Sequence, residues 1–169
     1  TTPNQNNSSI FQMLSVADIV LGKKSSFTTG VQYISKNIES NDRGNHNVWQ
    51  SGVFGIWHQQ FGEMLNIEPA IRLDYNSRAG IEFVPQINAS YRRSFYQLRG
   101  SFGRTIRDAD FTERFNNYNK PIVQSGSIGN PNLEAETSWS YEAGADVWIG
   151  KHLKIAGTLF SRQQTDLID

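Results

Sequence analysis

The chain has 169 residues, 16 basic and 16 acidic side chains, a formal net charge of zero and no cysteine. The length suits one domain, and the balanced charge differs from the basic surplus of a nucleic-acid-binding protein. The lack of cysteine excludes disulfides and thiolate metal sites within the chain. We expect no signal peptide in TTPNQNNSSIF and no membrane helix, since no run approaches roughly 20 apolar residues. A polar average does not exclude a membrane β-barrel, whose strands alternate.

In chain order, the sequence predicts eight strands separated by turn-rich segments. From Leu65 to Tyr75 the odd positions are apolar or aromatic apart from one proline, and most even positions are polar. Such alternation predicts a strand with one apolar and one polar face. The predicted strands are residues 10–21, 26–39, 47–61, 64–76, 81–92, 95–107, 137–149 and 153–164. Most are about 12 to 15 residues long, beyond the usual 5 to 6 and long enough to cross a bilayer when tilted.

The connections alternate in length along the chain. GKKS, FGE, RRSF and IGKH are tight, whereas SNDRGNH, NSRAG and residues 108–136 are longer or more irregular. Tight turns at one rim and longer loops at the other are typical of an outer-membrane barrel, with the tight rim on the periplasmic side. The predicted fold class is therefore all-β, an antiparallel up-and-down meander of about eight long strands that forms a segment of a transmembrane β-barrel.

Aromatic residues are expected in a girdle near each rim. Trp49 and Trp57 share a parity, and eight residues of tilted strand span about 20 Å, close to the height of an apolar band. The tight rim would carry Trp57, Phe61, Tyr91, Tyr96 and Trp148, and the other rim Trp49, Tyr75, Trp139 and Tyr141.

Two features fit this pattern less well. Pro69 and Pro85 lie inside predicted strands, where proline cannot donate a ladder hydrogen bond, and we expect a bulge or local kink there. The first strand, IFQMLSVADIVL, is apolar on both parities. Because a soluble β-sandwich would have similar strands, that fold stays open as an alternative.

The second half of the chain has two distinctive stretches whose residues recur at characteristic spacings. These residues are Arg99, Gly103, Arg107, Phe111, Glu113, Phe115, Gly129, Asn130, Pro131, Asn132, Leu133, Glu136, Tyr141, Glu142 and Gly144. They resemble the barrel of TonB-dependent outer-membrane receptors. That family typically has a strand with Arg-x-x-x-Gly-x-x-Phe-Arg-Ala-Pro, a Phe-x-Glu-Leu-like segment, Gly-Asn-Pro-x-Leu-Lys-Pro-Glu, and a strand containing Tyr-Glu-x-Gly. Departures are Ile106, Asp108 and Ala109 for Phe, Ala and Pro, and Glu134 and Ala135 for Lys and Pro.

The resemblance covers about 90 residues and implies a 22-stranded barrel with an N-terminal plug. Residues 1–169 are too short for that, and the chain ends at TDLID rather than at an aromatic residue. We therefore expect a partial receptor barrel, without the plug domain and the remaining strands. We also expect Asn130 and Pro131 to form a turn that returns an outer loop to the wall, with Gly129 permitting the bend.

The resemblance implies transport of a scarce ligand, of the siderophore or corrinoid class, across a Gram-negative outer membrane. The implied partners are that ligand, outer-membrane lipid and, through the missing plug, the TonB energy-transducing complex. Ligand contact is expected on the outer loop, and the candidate residues are Arg107, Asp110, Glu113, Arg114, Asn130 and Glu136. Arg104 and Arg107 beside FTERF could form an anion pocket, or a salt network with Asp108, Asp110 and Glu113.

The sequence predicts no catalytic residues, metal site or cofactor, and hence not an enzyme. His46, His58 and His152 lack metal-ligand spacing, and the oxygen-rich loop around Asp42 lacks an EF-hand ladder. No nucleic-acid partner is expected. A complete eight-stranded barrel with a structural or adhesion role remains an alternative. Open strand edges predict that an isolated piece self-associates.

Overall fold

The computed structural model describes residues 5–41, 43–117 and 127–166. It contains one antiparallel sheet of eight strands in chain order, which confirms the predicted fold class. The strands are β1 (Asn6–Gly22), β2 (Ser25–Ser40), β3 (His46–Phe61), β4 (Leu65–Asn76), β5 (Gly80–Arg93), β6 (Tyr96–Arg107), β7 (Glu136–Ile149) and β8 (Leu153–Thr165). A five-residue helix that the sequence analysis did not predict, α1 (Phe111–Phe115), lies between β6 and β7. No helix in the described part of the chain is long and apolar enough to cross a membrane.

As predicted, the short connections lie at one end of the sheet and the longer ones at the other. Residues 23–24, 62–64, 94–95 and 150–152 connect strands at one end, which we call the tight-turn rim. Residues 41–45, 77–79 and 108–135 connect strands at the other end, the long-connection rim. The segment 108–135, called the outer connection below, is by far the longest of the seven.

The register keeps the two faces continuous from β2 to β8. Val53 pairs with Leu73, and Leu73 with Phe83. Tyr91 of β5 pairs with Leu98 of β6, so in β6 the even-numbered residues lie on the apolar face. Leu98 pairs in turn with Ala145, so in β7 the odd-numbered residues lie on that face again. The apolar face thus has the odd positions of β2 to β5, the even positions of β6 and the odd positions of β7 and β8. The opposite positions form the polar face.

No second layer of the described residues packs against the apolar face. Trp49 is 37%, Ile71 49% and Val147 38% exposed, and most other large apolar side chains of this face are at least as open. The buried apolar residues in the described ranges all lie near the long-connection rim: Ile38, Val48, Ala109, Phe115 and Ala135. A β-sandwich needs its apolar face buried between two sheets, so the soluble sandwich considered above is not the fold.

The aromatic residues lie near the two rims as expected. On the apolar face near the long-connection rim, Tyr33, Trp49 and Tyr75 form a row, with ring centroids 6.4 and 4.9 Å apart. Near the tight-turn rim, Tyr91 and Tyr96 are 6.1 Å apart. Aromatic residues at both edges of an apolar band are typical of membrane-spanning sheets.

Of the bulge or local kink expected at the two prolines, the bulge is wrong. Pro69 pairs with Ile87 and Pro85 with Ile71 in an unbroken β4–β5 register. Each proline instead lies at a break in its other ladder. The β3–β4 pairing omits the step between Ile56↔Ala70 and Gln59↔Ile67, and β5–β6 pairing begins only at Gln86↔Gly103. A missing N–H removes a hydrogen bond on one side only, so register survives.

The two outer strands of the sheet differ from the rest. β1 has exposed apolar residues on both parities, such as Met13 and Leu14, as its sequence predicts. The one register shift in its pairing falls between Val20 and Gly22. Within the described residues β1 and β8 do not pair with each other, so the sheet is open and is not the closed eight-stranded barrel of the alternative reading.

Candidate functional site

The outer connection folds back against the rim through a short, well-capped helix. The Asp110 carboxylate accepts hydrogen bonds from the backbone N–H groups of Thr112 and Glu113, at 2.7 and 2.8 Å. The Glu113 carboxylate in turn accepts from the Asp110 N–H at 2.7 Å. This reciprocal capping box satisfies donors that a helix start leaves free. The Asp-x-x-Glu spacing was visible in the sequence and is the signal that could have predicted α1.

Arg114 is the most buried large side chain of the described residues, at 1% exposure. Its guanidinium donates to the Pro131 and Leu133 carbonyls at 3.0 and 2.7 Å and to the Asp108 carboxylate at 2.7 Å. A buried charge requires such partners. Arg114 therefore joins both ends of the outer connection.

Asp108 connects the Arg114 hydrogen-bond network to the sheet. Its carboxylate accepts from the Asn76 side-chain amide at 2.6 Å and from that of Gln50 at 3.4 Å. Asn76 ends β4 and Gln50 lies in β3, so the outer connection is attached to two strands of the wall.

The GNPN segment, residues 129–132, packs on α1, and its glycine has a role in this packing as well as in the turn. A Cβ on Gly129 would lie 2.6 Å from the Arg114 carbonyl carbon and the Phe115 nitrogen, so only glycine fits there. The Gly129 N–H donates to the Asn116 carbonyl at 2.6 Å and the Asn130 N–H to that of Glu113 at 3.0 Å. The glycine is needed for this close approach rather than for a positive φ.

The rest of the turn and the helix are also held by their neighbours. The Asn130 side-chain oxygen accepts from the Asn132 N–H at 3.0 Å, which closes a local turn around Pro131. Phe115 is 3% exposed, and its ring stacks on His46 with centroids 3.5 Å apart.

A polar cleft of about 250 Å³ lies between the outer connection and the polar face of β2 to β4. Its strand side includes Arg72, which bonds Asp74 at 2.6 and 2.7 Å and the Gln32 side-chain oxygen at 2.8 Å. Asp108 and Ala135 line its opposite side. Arg72 and Gln32 were not among the predicted site residues, although their even parity near this rim could have indicated them.

Four of the six predicted residues lie close together: Arg107, Glu113 and Glu136 form ion pairs, and Asp110 lies beside them. Arg107 binds Glu113 and lies 3.1 Å from Glu136, and its side chain is half exposed. Asp110 caps the helix that presents Glu113. Arg114 is buried within the connection, whereas Asn130 is exposed and donates its backbone N–H to the Glu113 carbonyl. Ligand contact by these six residues stays a prediction.

The arginine pair suggested as an anion pocket does not converge. Arg104 instead lies 2.7 Å from Glu82 and donates to the Phe83 carbonyl at 2.6 Å. Arg104 also lines a second cavity of about 650 Å³, together with Arg78, Glu82 and residues 131–135 among others. Among the described residues, no group of three His, Asp or Glu side chains is placed to hold a metal ion.

Comparison with known proteins adds the family context. The family model described as "TonB dependent receptor-like, beta-barrel" matches residues 2–169. No curated protein sequence matches the chain.

Solved structures show the same fold at low sequence identity. The siderophore receptor PirA of Pseudomonas aeruginosa superposes with a TM-score of 0.82 at 16% identity over 93% of this chain and 31% of its own. The ferric enterobactin receptor PfeA of the same organism gives 0.80 at 16%, over 94% and 27%. The Serratia marcescens hemophore receptor HasR gives 0.71 at 13%, over 95% and 33%. The chain thus spans about a third of each receptor or less. The family and these neighbours are transport receptors, not enzymes.

Proposed function

The chain belongs to the TonB-dependent receptor β-barrel family, and on that premise we propose that it forms eight strands of an outer-membrane uptake receptor. The transported ligand is a scarce molecule of the siderophore or corrinoid class. The plug domain and the remaining strands lie outside residues 1–169, consistent with the share of its structural neighbours that the chain covers.

The observation that carries this proposal is a sheet whose apolar face has no protein cover. Burying large apolar side chains is the main stabilising term in a folded protein, and a water-soluble monomer rarely leaves so large a patch open. Lipid hydrocarbon supplies the missing cover. The polar face, with ion pairs such as Arg72–Asp74 and Arg99–Asp146, then borders the barrel interior.

Ligand contact takes place at the outer connection and the cleft beneath it. On this surface Arg107, Asp110 and Asn130 are exposed and Glu113 and Glu136 are half-buried, and the buried Arg114 holds it in shape. A half-exposed arginine suits the carboxylate or catecholate oxygens of an anionic iron chelate. Binding sites commonly lie on loops that a rigid scaffold positions.

The receptor spans the outer membrane of a Gram-negative cell, with the tight-turn rim facing the periplasm. Its partners are the ligand, outer-membrane lipid and, through the plug, the TonB complex, which supplies energy for release. An isolated copy of residues 1–169 self-associates in detergent, because β1 and β8 each leave an unpaired edge. Light scattering of that purified piece tests this, and a stable monomer would contradict it.

Uptake of ligand by the full-length receptor tests the proposal. Cells express a variant whose residues 109–134 are replaced by a short Gly-Ser linker, and uptake of radiolabelled ferric siderophores and cobalamin is compared with wild type. A control carries the same linker in the tight turn at residues 150–152. We expect uptake to fall by at least about tenfold only in the first variant, at equal surface expression. Undiminished uptake would overturn the ligand role of the outer connection.

A further inference from the structure

The tight-turn rim carries an excess of positive charge in a chain whose formal net charge is zero. Six cationic side chains lie in the four tight turns or within two residues of them, against one carboxylate, that of Glu63. The six are Lys23, Lys24, Arg92, Arg93, Lys151 and Lys154. The surplus is therefore confined to one end of the sheet.

Toward the long-connection rim, by contrast, several arginines form ion pairs with carboxylates of the chain. Arg104 pairs with Glu82 at 2.7 Å, and Arg114 pairs with Asp108 at 2.7 Å. By contrast, Lys23, Lys24, Arg93 and Lys151 are exposed. None of these four has a carboxylate within salt-bridge distance in the part of the chain that the structure describes. They are available to an external anion.

All four cations lie at the tight-turn rim, and two of them, Arg93 and Lys151, lie beside the end of the apolar face. Phe95 is 57%, Ile149 54% and Leu153 52% exposed, and these side chains end the apolar band at the tight-turn rim. Arg93 precedes Phe95 by two positions, and Lys151 lies between Ile149 and Leu153. Long cationic side chains at such a boundary place their methylenes on apolar surface and their charge at headgroup level.

The two remaining cations are committed to the polar face. The Arg92 guanidinium carbon and the Lys154 nitrogen lie 5.4 and 5.1 Å from the Trp148 ring centroid. Lys154 also lies 3.0 Å from Asp146. The surplus without a carboxylate partner is therefore Lys23, Lys24, Arg93 and Lys151, which we call the basic rim.

We propose that the basic rim binds the anionic headgroups of phospholipids in the membrane leaflet at the tight-turn rim. This rests on the proposed function, because it takes the apolar face as the lipid contact. The charge and position of the rim favour headgroups with a net negative charge over zwitterionic ones, since each nearby cation strengthens attraction to an anionic membrane surface. Such attraction weakens as salt shortens the screening length.

Spin-labelled lipids in bilayers that contain the full-length receptor provide the test. The receptor is reconstituted in phosphatidylcholine with trace spin-labelled phosphatidylglycerol or phosphatidylcholine, and electron paramagnetic resonance gives the association of each lipid with the protein surface. The test variant is Lys23→Gln/Lys24→Gln/Arg93→Gln/Lys151→Gln. The control variant, Lys36→Gln/Arg162→Gln, removes two cations from the half of the sheet nearer the long-connection rim. A second basic-rim variant, Arg93→Gln/Lys151→Gln, removes the same number of charges as the control.

We expect wild type to prefer phosphatidylglycerol, and the quadruple variant to lose at least about threefold of that preference. The matched pair should lose an intermediate share, and the control should keep the wild-type preference. A receptor that inserts into phosphatidylcholine but shows no preference, or a quadruple variant that retains it, would overturn the basic rim and leave the proposed function intact. Failure to insert into any bilayer would instead contradict the proposed function.

Discussion

At the scale of single residues, Asp108 and Arg114 are a matched departure from the receptor pattern described above. The pattern has Ala and Leu at these two positions, whereas here Asp108 and Arg114 form a part-buried ion pair at 2.7 Å. The pair replaces an apolar contact by a charged one that also binds the Pro131 and Leu133 carbonyls. Each charge is the ion-pair partner of the other, and both also make hydrogen bonds to neutral groups.

A double-mutant cycle tests the coupling of this pair. Arg114→Leu leaves the Asp108 carboxylate without its charge partner, and Asp108→Ala does the same to the guanidinium; removing one member of a buried pair costs about 3 to 5 kcal/mol. The measurement is hydrogen exchange of the Gly129 and Asn130 amides, which bond to α1, in the lipid-reconstituted receptor. Both single variants should exchange much faster, and the double variant should lie closer to wild type than either. Strictly additive effects would contradict a coupled pair.

At the scale of elements, the eight strands could be predicted because alternation with a period of two is a local signal. Their observed bounds differ from prediction by four residues at most, at the start of β1. The helix α1 was missed because five residues show no helical period, although Asp110 and Glu113 carry its capping box. The Arg114 network could not be predicted, since its partners are set by how residues 127–135 return onto the helix.

The prolines illustrate a wrong prediction of an element. A bulge or local kink was expected, and the bulge is wrong, because the structure keeps the β4–β5 register and breaks one neighbouring ladder beside each proline. At the β5–β6 break, the Arg104 guanidinium donates to the Phe83 carbonyl at 2.6 Å. A side chain thus takes the place of a missing backbone partner.

Substitution of Arg104 by glutamine should therefore open this break further. The variant loses the bonds to Phe83 and Glu82, whose carboxylate is about a fifth exposed, and leaving a part-buried acceptor unpaired costs about 1 to 3 kcal/mol. Hydrogen exchange of residues 81–85 and 104–107 should rise, while that of the rest of β5 changes little. Arg99→Gln is the control, because Arg99 pairs with Asp146 beside an intact ladder. Equal local effects of the two variants would argue against a special role for Arg104.

At the scale of the whole molecule, neighbouring positions should differ sharply in their tolerance of charge. Ile87 lies on the apolar face near the middle of β5, and Gln86 beside it lies on the polar face. Ile87→Arg should destabilise the receptor by about 2 to 4 kcal/mol, as for an arginine near the bilayer midplane, and Gln86→Arg by much less. Urea unfolding in lipid vesicles measures both. Equal losses would mean that the two faces meet similar surroundings.

The central claim is that the apolar face contacts lipid and the polar face water, and a nitroxide scan of β5 tests it most directly. Single cysteines are introduced from Gly80 to Arg93 of the full-length receptor, from which any cysteine outside this cysteine-free segment has been removed. Collisions with oxygen report lipid, and collisions with a water-soluble nickel complex report water. The account predicts oxygen maxima at odd positions and nickel maxima at even ones. Odd positions that are immobile and closed to both reagents, as in a packed protein interior, would contradict it.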